Sequence, residues 1–425
     1  MTSHLPQTGT VPSVAADPTL AAPSRRVAAV AHEIARYLPL ARSFAAMFDR
    51  SARLRQAGQP PSQPSPLDRL LQDLSKVTAK VRHGDTPRER VIALWGFHGI
   101  VSREPDLSIR KMAEILTLSD LLDDRIEHCL LEPKPMPAIW EELAGLRGMF
   151  SPDVVEAGAK AFPGTSSIFA NQIWDFPVQA VAAKDVLQTL TTKEHDFDSL
   201  AALAGRDPIL AGNLIKAANS ALYGRANPVR SIPEAVGFLG TDITRDLLMA
   251  LALRPMFLSA GLLAVWKHSL AISRFCQGLA CATDCLPPGE ALLLGLMHDV
   301  GRVALPSQGR QIMDAHARLV EGGCPAAYVE RLLFGKSHAE IGAELLVSWL
   351  FPQTMVEAVS LHHRPANSSL AGTAALYLAE FWSEEDEDLP SIRHLASAFS
   401  LLGCSMEILE KTARFRGSLA PLLAA

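Results

Sequence analysis

The feature that most constrains the fold is where the chain places its helix stops. Asp198 stands before the apolar period of Ser199 to Ala204, Asp207 is followed by Pro208, Ser231 lies three residues before Glu234, and Gly240 precedes Thr241. Asp, Ser and Thr offer an acceptor to the free amides of a first helical turn. Pro fits the first helical position, and Gly takes the conformations that end a helix. The expected pieces are a helix capped by Asp198 over 199–204 and one opened by Asp207-Pro208, running through Leu210, Leu214 and Ala217 to about Ala221. A capping box of Ser231 and Glu234 then opens Pro233–Leu239, and Thr241 caps Ile243–Leu253. β-branched residues are sparse beside Leu and Ala, and aromatic residues make up 6%. The expected fold class is all-α.

The 425 residues suggest two or three domains. Residues 1–24, rich in Thr, Ser, Pro and Ala, are expected to form a disordered leader. Helical apolar spacing recurs over Arg25–Arg55, Leu67–Val81 and Glu89–Ile100, with a Pro-rich stretch at Gly58–Pro66. A further helix is expected from near Ser108 through Met112, Ile115 and Leu116, broken at Glu132–Pro137. Short helices follow at Ile139–Leu146 and Asp153–Phe162. Phe162–Ser167 reads as a boundary, and only Ser167–Val178 has any strand character.

The formal net charge of −5 excludes a globally basic nucleic-acid binder. Six cysteines are scattered without zinc-site spacing, which points to free thiols in a reducing compartment. No secretory leader pattern and no apolar run of about 20 residues is present, so the expected compartment is the cytoplasm.

Seven of the thirteen histidines lie after residue 260. Five of them come in order: His268, then His298 next to Asp299, then His338, then the adjacent His362 and His363. The apolar run Ala291–Met297 places His298 and Asp299 at the buried end of a helix, where an unpaired charge is costly. A metal, a neighbouring histidine or another partner must answer it. Imidazole with carboxylate suits Mn, Fe, Zn or similar divalent metals. Mutual hydrogen bonding without metal would also satisfy the groups. His4, His32, His83, His98, His128, His195, His316 and His394 are read as packed or surface residues. Asp120, Asp123 and Asp124 are read as a solvated face or helix end, and the acidic run Glu384–Asp388 as an exposed loop.

The order His, His-Asp, His, His-His resembles the HD superfamily of metal-dependent phosphohydrolases. Residues 200–224, with Asp207-Pro208 and Asn219-Ser220, resemble the opening of an HDOD domain, the HD-related output domain of bacterial signalling proteins. Ser231 to Gly240, Gly295 to Gly301, His338 to Ala343, Trp349-Leu350-Phe351-Pro352 and His362-His363-Arg364-Pro365 are similar to the same family. The resemblance implies an HD-like helical bundle over 170–382, a divergent helical domain over 25–165, itself a candidate degenerate HD-like module, and a helical extension over 383–425.

It further implies one or two divalent metals held by His268, His298, Asp299, His338, His362, His363 and Glu380. Glu380 stands where the superfamily usually has Asp. Arg302 stands where cyclic-dinucleotide phosphodiesterases of the superfamily tend to have Lys, and its fork could hold phosphate. The Gly-Tyr-Pro signature of those phosphodiesterases is absent. The implied role is an output module acting by protein contact or ligand sensing, with other signalling proteins as partners and a nucleotide as candidate ligand. The alternative is a phosphohydrolase acting on a nucleotide or phosphate ester, in which Asp299 and Arg302 carry the chemistry. A nucleotide sensor without turnover is a third reading.

Overall fold

The computed structural model describes residues 22–39, 100, 101, 103, 106–129, 135–146, 149–164, 186, 187, 189, 190, 196–219, 228–257, 262–383 and 392–413. The expected leader to residue 21, the Pro-rich stretch 58–66, the helices at 67–81 and 89–99, the strand-like 167–178 and the acidic run 384–388 lie outside them.

Among the described residues there are seventeen α-helices and no strand. In chain order they are α1 Ala22–Ala35, α2 Leu107–Cys129, α3 Met136–Gly145, α4 Pro152–Ala161, α5 Phe197–Gly205, α6 Pro208–Ala218, α7 Ile232–Leu239, α8 Thr241–Leu253 and α9 Leu263–Thr283. There follow α10 Pro288–Met297, α11 Arg310–Glu321, α12 Ala326–Phe334, α13 His338–Ser348, α14 Gln353–Ser360, α15 Ala371–Ser383, α16 Ile392–Leu402 and α17 Met406–Ala413. A 3-10 helix, Val300–Gln308, follows α10. No helix among the described residues is long and apolar enough to cross a membrane.

The caps largely sit where the sequence puts them. Asp207 accepts from the Leu210 amide at 3.3 Å, and Ser231 from the Glu234 amide at 3.3 Å. Two expectations shift. Asp196, not Asp198, caps α5, accepting from Ser199 at 2.9 Å, because the helix begins at Phe197 and leaves Asp198 inside its first turn. Thr241 is the first helical residue of α8 rather than its cap. Gly240, at φ 80°, makes the turn between α7 and α8. Asn219 clamps the Val229 backbone at both its amide (2.6 Å) and its carbonyl (2.8 Å), which accounts structurally for one residue of the Asn-Ser motif.

The chain divides into two compact units. The first comprises residues 1–166 and 309–336, and so holds α1–α4 with α11 and α12. The stretch expected as one domain over 170–382 is therefore interrupted as a packing unit. The cause is visible in the ion pairs. Buried Glu33 of α1 accepts two hydrogen bonds from Arg318 of α11, at 2.7 and 3.1 Å. Arg26 grips Asp123 of α2 in a bidentate pair at 2.8 and 3.3 Å and lies over the Tyr328 ring of α12. Asp120 and Asp123 are accordingly buried, not on a solvated face.

The second unit comprises residues 167–308 and 337–425, including α16 and α17. Its axis is the pair α9 and α10. Every residue of α10 from Ala291 to Met297 is buried, as an all-apolar helix requires. The two helices approach backbone to backbone at Gly295, where a Cβ would stand 2.3 Å from the Ser273 Cα. Gly301 does the same for the 3-10 helix against α13, where a Cβ would meet the His338 carbonyl oxygen at 2.0 Å.

Candidate metal centre

Five elements of the second unit bring the functional side chains together. His268 comes from the first half of α9, and His298 and Asp299 from the turn that ends α10. His338 is the first residue of α13, His362 and His363 lie in the turn after α14, and Glu380 sits near the end of α15. His338 is set by a capping box. The Ser337 amide donates to Glu340 at 2.9 Å while the Ser337 side chain takes the amide of the third helical residue.

All seven expected ligands converge. The His298 Nε2 lies 3.2 Å from the His268 Nε2, 3.2 Å from Glu380 Oε1 and 3.6 Å from Asp299 Oδ2. On the other side, the His338 Nε2 lies 3.0 Å from the His363 Nε2, 3.4 Å from the His362 Nε2 and 3.2 Å from Asp299 Oδ1. Glu380 Oε2 approaches His363 Nδ1 at 3.2 Å. The two oxygens of Asp299 thus face two histidine groups. Three sets of donors, His268/His298/Glu380, His338/His362/His363 and Asp299/His362/Glu380, each gather their ligand atoms within 4.8 Å of one another.

Backbone carbonyls fix which nitrogen points inward. The His298 Nδ1 faces the Gly295 carbonyl at 2.8 Å, and the His362 Nδ1 faces that of Val359 at 2.6 Å. A carbonyl only accepts, so each Nδ1 carries a hydrogen and each Nε2 is turned toward the cluster. The His298 Nε2 faces the carboxylates of Glu380 and Asp299. Such a nitrogen meets a carboxylate through a proton or through a shared metal cation. Histidine ligands of metals are held in this way, by a hydrogen bond from the other ring nitrogen.

The electrostatics agree. Burial, reinforced by His363, holds the His362 imidazole well below its ordinary range, so that ring is neutral. Burial pushes the Asp299 carboxyl up, but Arg302, His298, His338 and His268 outweigh it and hold it well below the usual carboxylate range. Burial likewise opposes ionisation of Glu380, and His363, with hydrogen bonds from His268 and His298, overcomes it. Asp299 is an anion with no exposure at all, and neither of its oxygens accepts a hydrogen bond. A neutral His362, four further imidazoles and two carboxylates, gathered within ligand distance, fit a divalent metal of the Mn, Fe or Zn kind. The cluster opens on one edge, where the side chains of His363 and Arg302 are 31% and 28% exposed.

Arg302 stands beside the cluster, its Nη1 3.3 Å from Asp299 Oδ2. Two histidines read as packing residues lie elsewhere: His316 is 4.0 Å from buried Glu330 in the first unit, and His394 packs against Tyr377. Sequence reasoning missed the orienting groups. The carbonyls of Gly295 and Val359 carry no side-chain signal. Gly301 and the Ser337-x-x-Glu340 capping box were present to be read.

The second unit is an all-helical bundle built around five imidazoles and two carboxylates, a set compatible with a metal. Within it the family is specific: residues 176–365 match the HDOD domain, and the chain carries an HDOD domain there. Its fold is similar to that of an HDOD domain protein of unknown function from Geobacter sulfurreducens (23% identity, 60% of this chain and 96% of that one, TM-score 0.50). It is also similar to a Marinobacter aquaeolei protein assigned to signal transduction (21% identity, 59% of each chain, TM-score 0.51). In sequence it is 24% identical over 237 residues to an uncharacterized protein of Treponema pallidum, covering 55% of this chain and 46% of that protein. The chain thus spans about half the length of this curated relative.

Proposed function

We propose that this chain is a bacterial regulatory protein whose HDOD domain is a metal-holding, ligand-sensing output module. The observation that carries the reading is the convergence of the inward Nε2 atoms of His298 and His362 on Asp299 and Glu380, each Nδ1 being held by a backbone carbonyl. One metal would be held by His268, His298 and Glu380 with one oxygen of Asp299, and a second by His338, His362 and His363 with the other. A divalent ion there supplies Lewis acidity toward a phosphoryl oxygen. The edge between His363 and Arg302 gives a phosphate-bearing ligand, such as a nucleotide, its way in. Other signalling proteins are the partners this role requires, and the cytoplasm is the compartment that suits the five described cysteines, none of them in a disulfide.

A second reading, hydrolysis of a nucleotide or phosphate ester, is favoured by the same open edge and by the guanidinium beside it, a fork suited to phosphate. In that reading Asp299 orients the centre and Arg302 steadies the phosphate. The test is to challenge Mn-loaded protein with a panel of nucleotides, cyclic dinucleotides and phosphate esters, following binding by thermal shift and turnover by phosphate release. Binding without turnover, lost in His298→Ala, is the result expected of the sensor. Turnover lost in the same variant selects the hydrolase. Neither binding nor turnover contradicts both.

A further inference from the structure

We propose that Arg302 is an internal counter-ion that a divalent metal displaces, so that metal and phosphate bind this centre with positive coupling. The inference rests on the metal reading above. Arg302 lies one helical turn past Asp299: its amide donates to the Asp299 carbonyl at 2.9 Å, which folds the side chain back over the carboxylate. The guanidinium then sits 3.3 Å from Oδ2. That oxygen also faces His298 (3.6 Å) and His268 (4.0 Å), the histidines of one donor group.

A dication and a guanidinium drawn to one buried carboxylate oxygen are like charges a few ångströms apart, so each weakens the other's hold. Arg302 has somewhere to go. Its side chain is 28% exposed at the open edge, whereas Asp299 is wholly enclosed. Displaced toward solvent, the guanidinium would stand beside the metal at the point where an anion enters, and both charges would then favour a phosphate. Anion binding must therefore raise metal affinity by the same factor as metal raises anion affinity. A static ion pair, kept whether or not metal is bound, would leave only the attraction between the metal and the anion, with no share from Arg302.

The experiment is calorimetric titration of metal-stripped full-length protein with Mn²⁺, in the absence and presence of inorganic phosphate, for wild type, Arg302→Gln and Arg302→Lys. Wild type is expected to bind Mn²⁺ about tenfold more tightly with phosphate present, within the usual range of site-to-site coupling. Arg302→Gln is expected to bind Mn²⁺ more tightly than wild type without phosphate, and to show a smaller phosphate effect. Arg302→Lys keeps the charge and is expected to keep the coupling. Arg302→Gln binding Mn²⁺ no better than wild type, or an undiminished phosphate effect in that variant, overturns the inference while leaving the metal reading intact. Should Arg302→Gln fail to fold, a wild-type Mn²⁺ affinity indifferent to phosphate overturns it instead. No Mn²⁺ uptake by wild type overturns the metal reading itself, and this inference with it.

Discussion

At the scale of single residues, the centre stores its instability in groups that acid can reach. Burial keeps His362 neutral in the folded chain, whereas an unfolded histidine takes up a proton as pH falls through about 6.5. Asp299 and Glu380 stay ionised in the fold below the pH, about 4, at which unfolded carboxyls protonate. In all three cases the unfolded chain binds the proton first, so each contribution to stability is present at neutral pH and lost on acidification. Urea unfolding of the metal-stripped protein should show a midpoint that is level above about pH 7, declines below about 6.5 and declines again below about 4. His362→Gln should abolish the upper decline. A midpoint that rises between pH 7 and pH 5 would contradict the assignment. The converging side chains were legible in the sequence because they come as His-Asp and His-His pairs in a fixed order. Their tautomers were not, because the carbonyls that set them belong to Gly295 and Val359, whose side chains say nothing of the bond.

At the scale of elements, two close backbone approaches hold the cluster in register. Gly301 lets the 3-10 helix carrying Arg302 touch the first residue of α13, which is His338. Gly295 lets α10, which delivers His298, lie against α9, which delivers His268. In both, an added Cβ meets backbone rather than a yielding side chain. Gly301→Ala and Gly295→Ala should each cost about 1–3 kcal/mol or more in chemical denaturation and weaken metal uptake. Gly212→Ala in α6, with nothing within 4 Å of the added Cβ, should instead be neutral or gain up to about 1 kcal/mol. Equal losses at all three positions would show that these contacts do not position the site. Helix boundaries were readable to within a residue or two from Asp207, Ser231 and Gly240. The two-residue error at Asp198 arose because two aspartates compete for one cap, and only the backbone decides between them.

At the scale of the whole molecule, the least legible feature is the assignment of α11 and α12 to the first unit. It depends on Glu33 and Arg318, which lie 285 residues apart in sequence. Spacing and periodicity carry no trace of such a pair, whereas the family motifs before and after the segment read as one continuous domain. Arg318→Ala should leave the buried Glu33 carboxylate short of its guanidinium and destabilise the first unit by on the order of 2 kcal/mol, discounted for the partial exposure of Arg318. Metal uptake at the second unit should not change. A loss of metal with no loss of stability would contradict the division.

The central claim is that the seven converging side chains hold a metal. It is tested most directly by elemental analysis of protein purified without chelator and without a metal-affinity column, beside His298→Ala. The account predicts one or two equivalents of Mn, Fe, Zn or a similar divalent ion in the wild type and a marked loss in the variant. Folded wild-type protein that carries no metal, and takes up none when Mn²⁺ or Fe²⁺ is added, would contradict it.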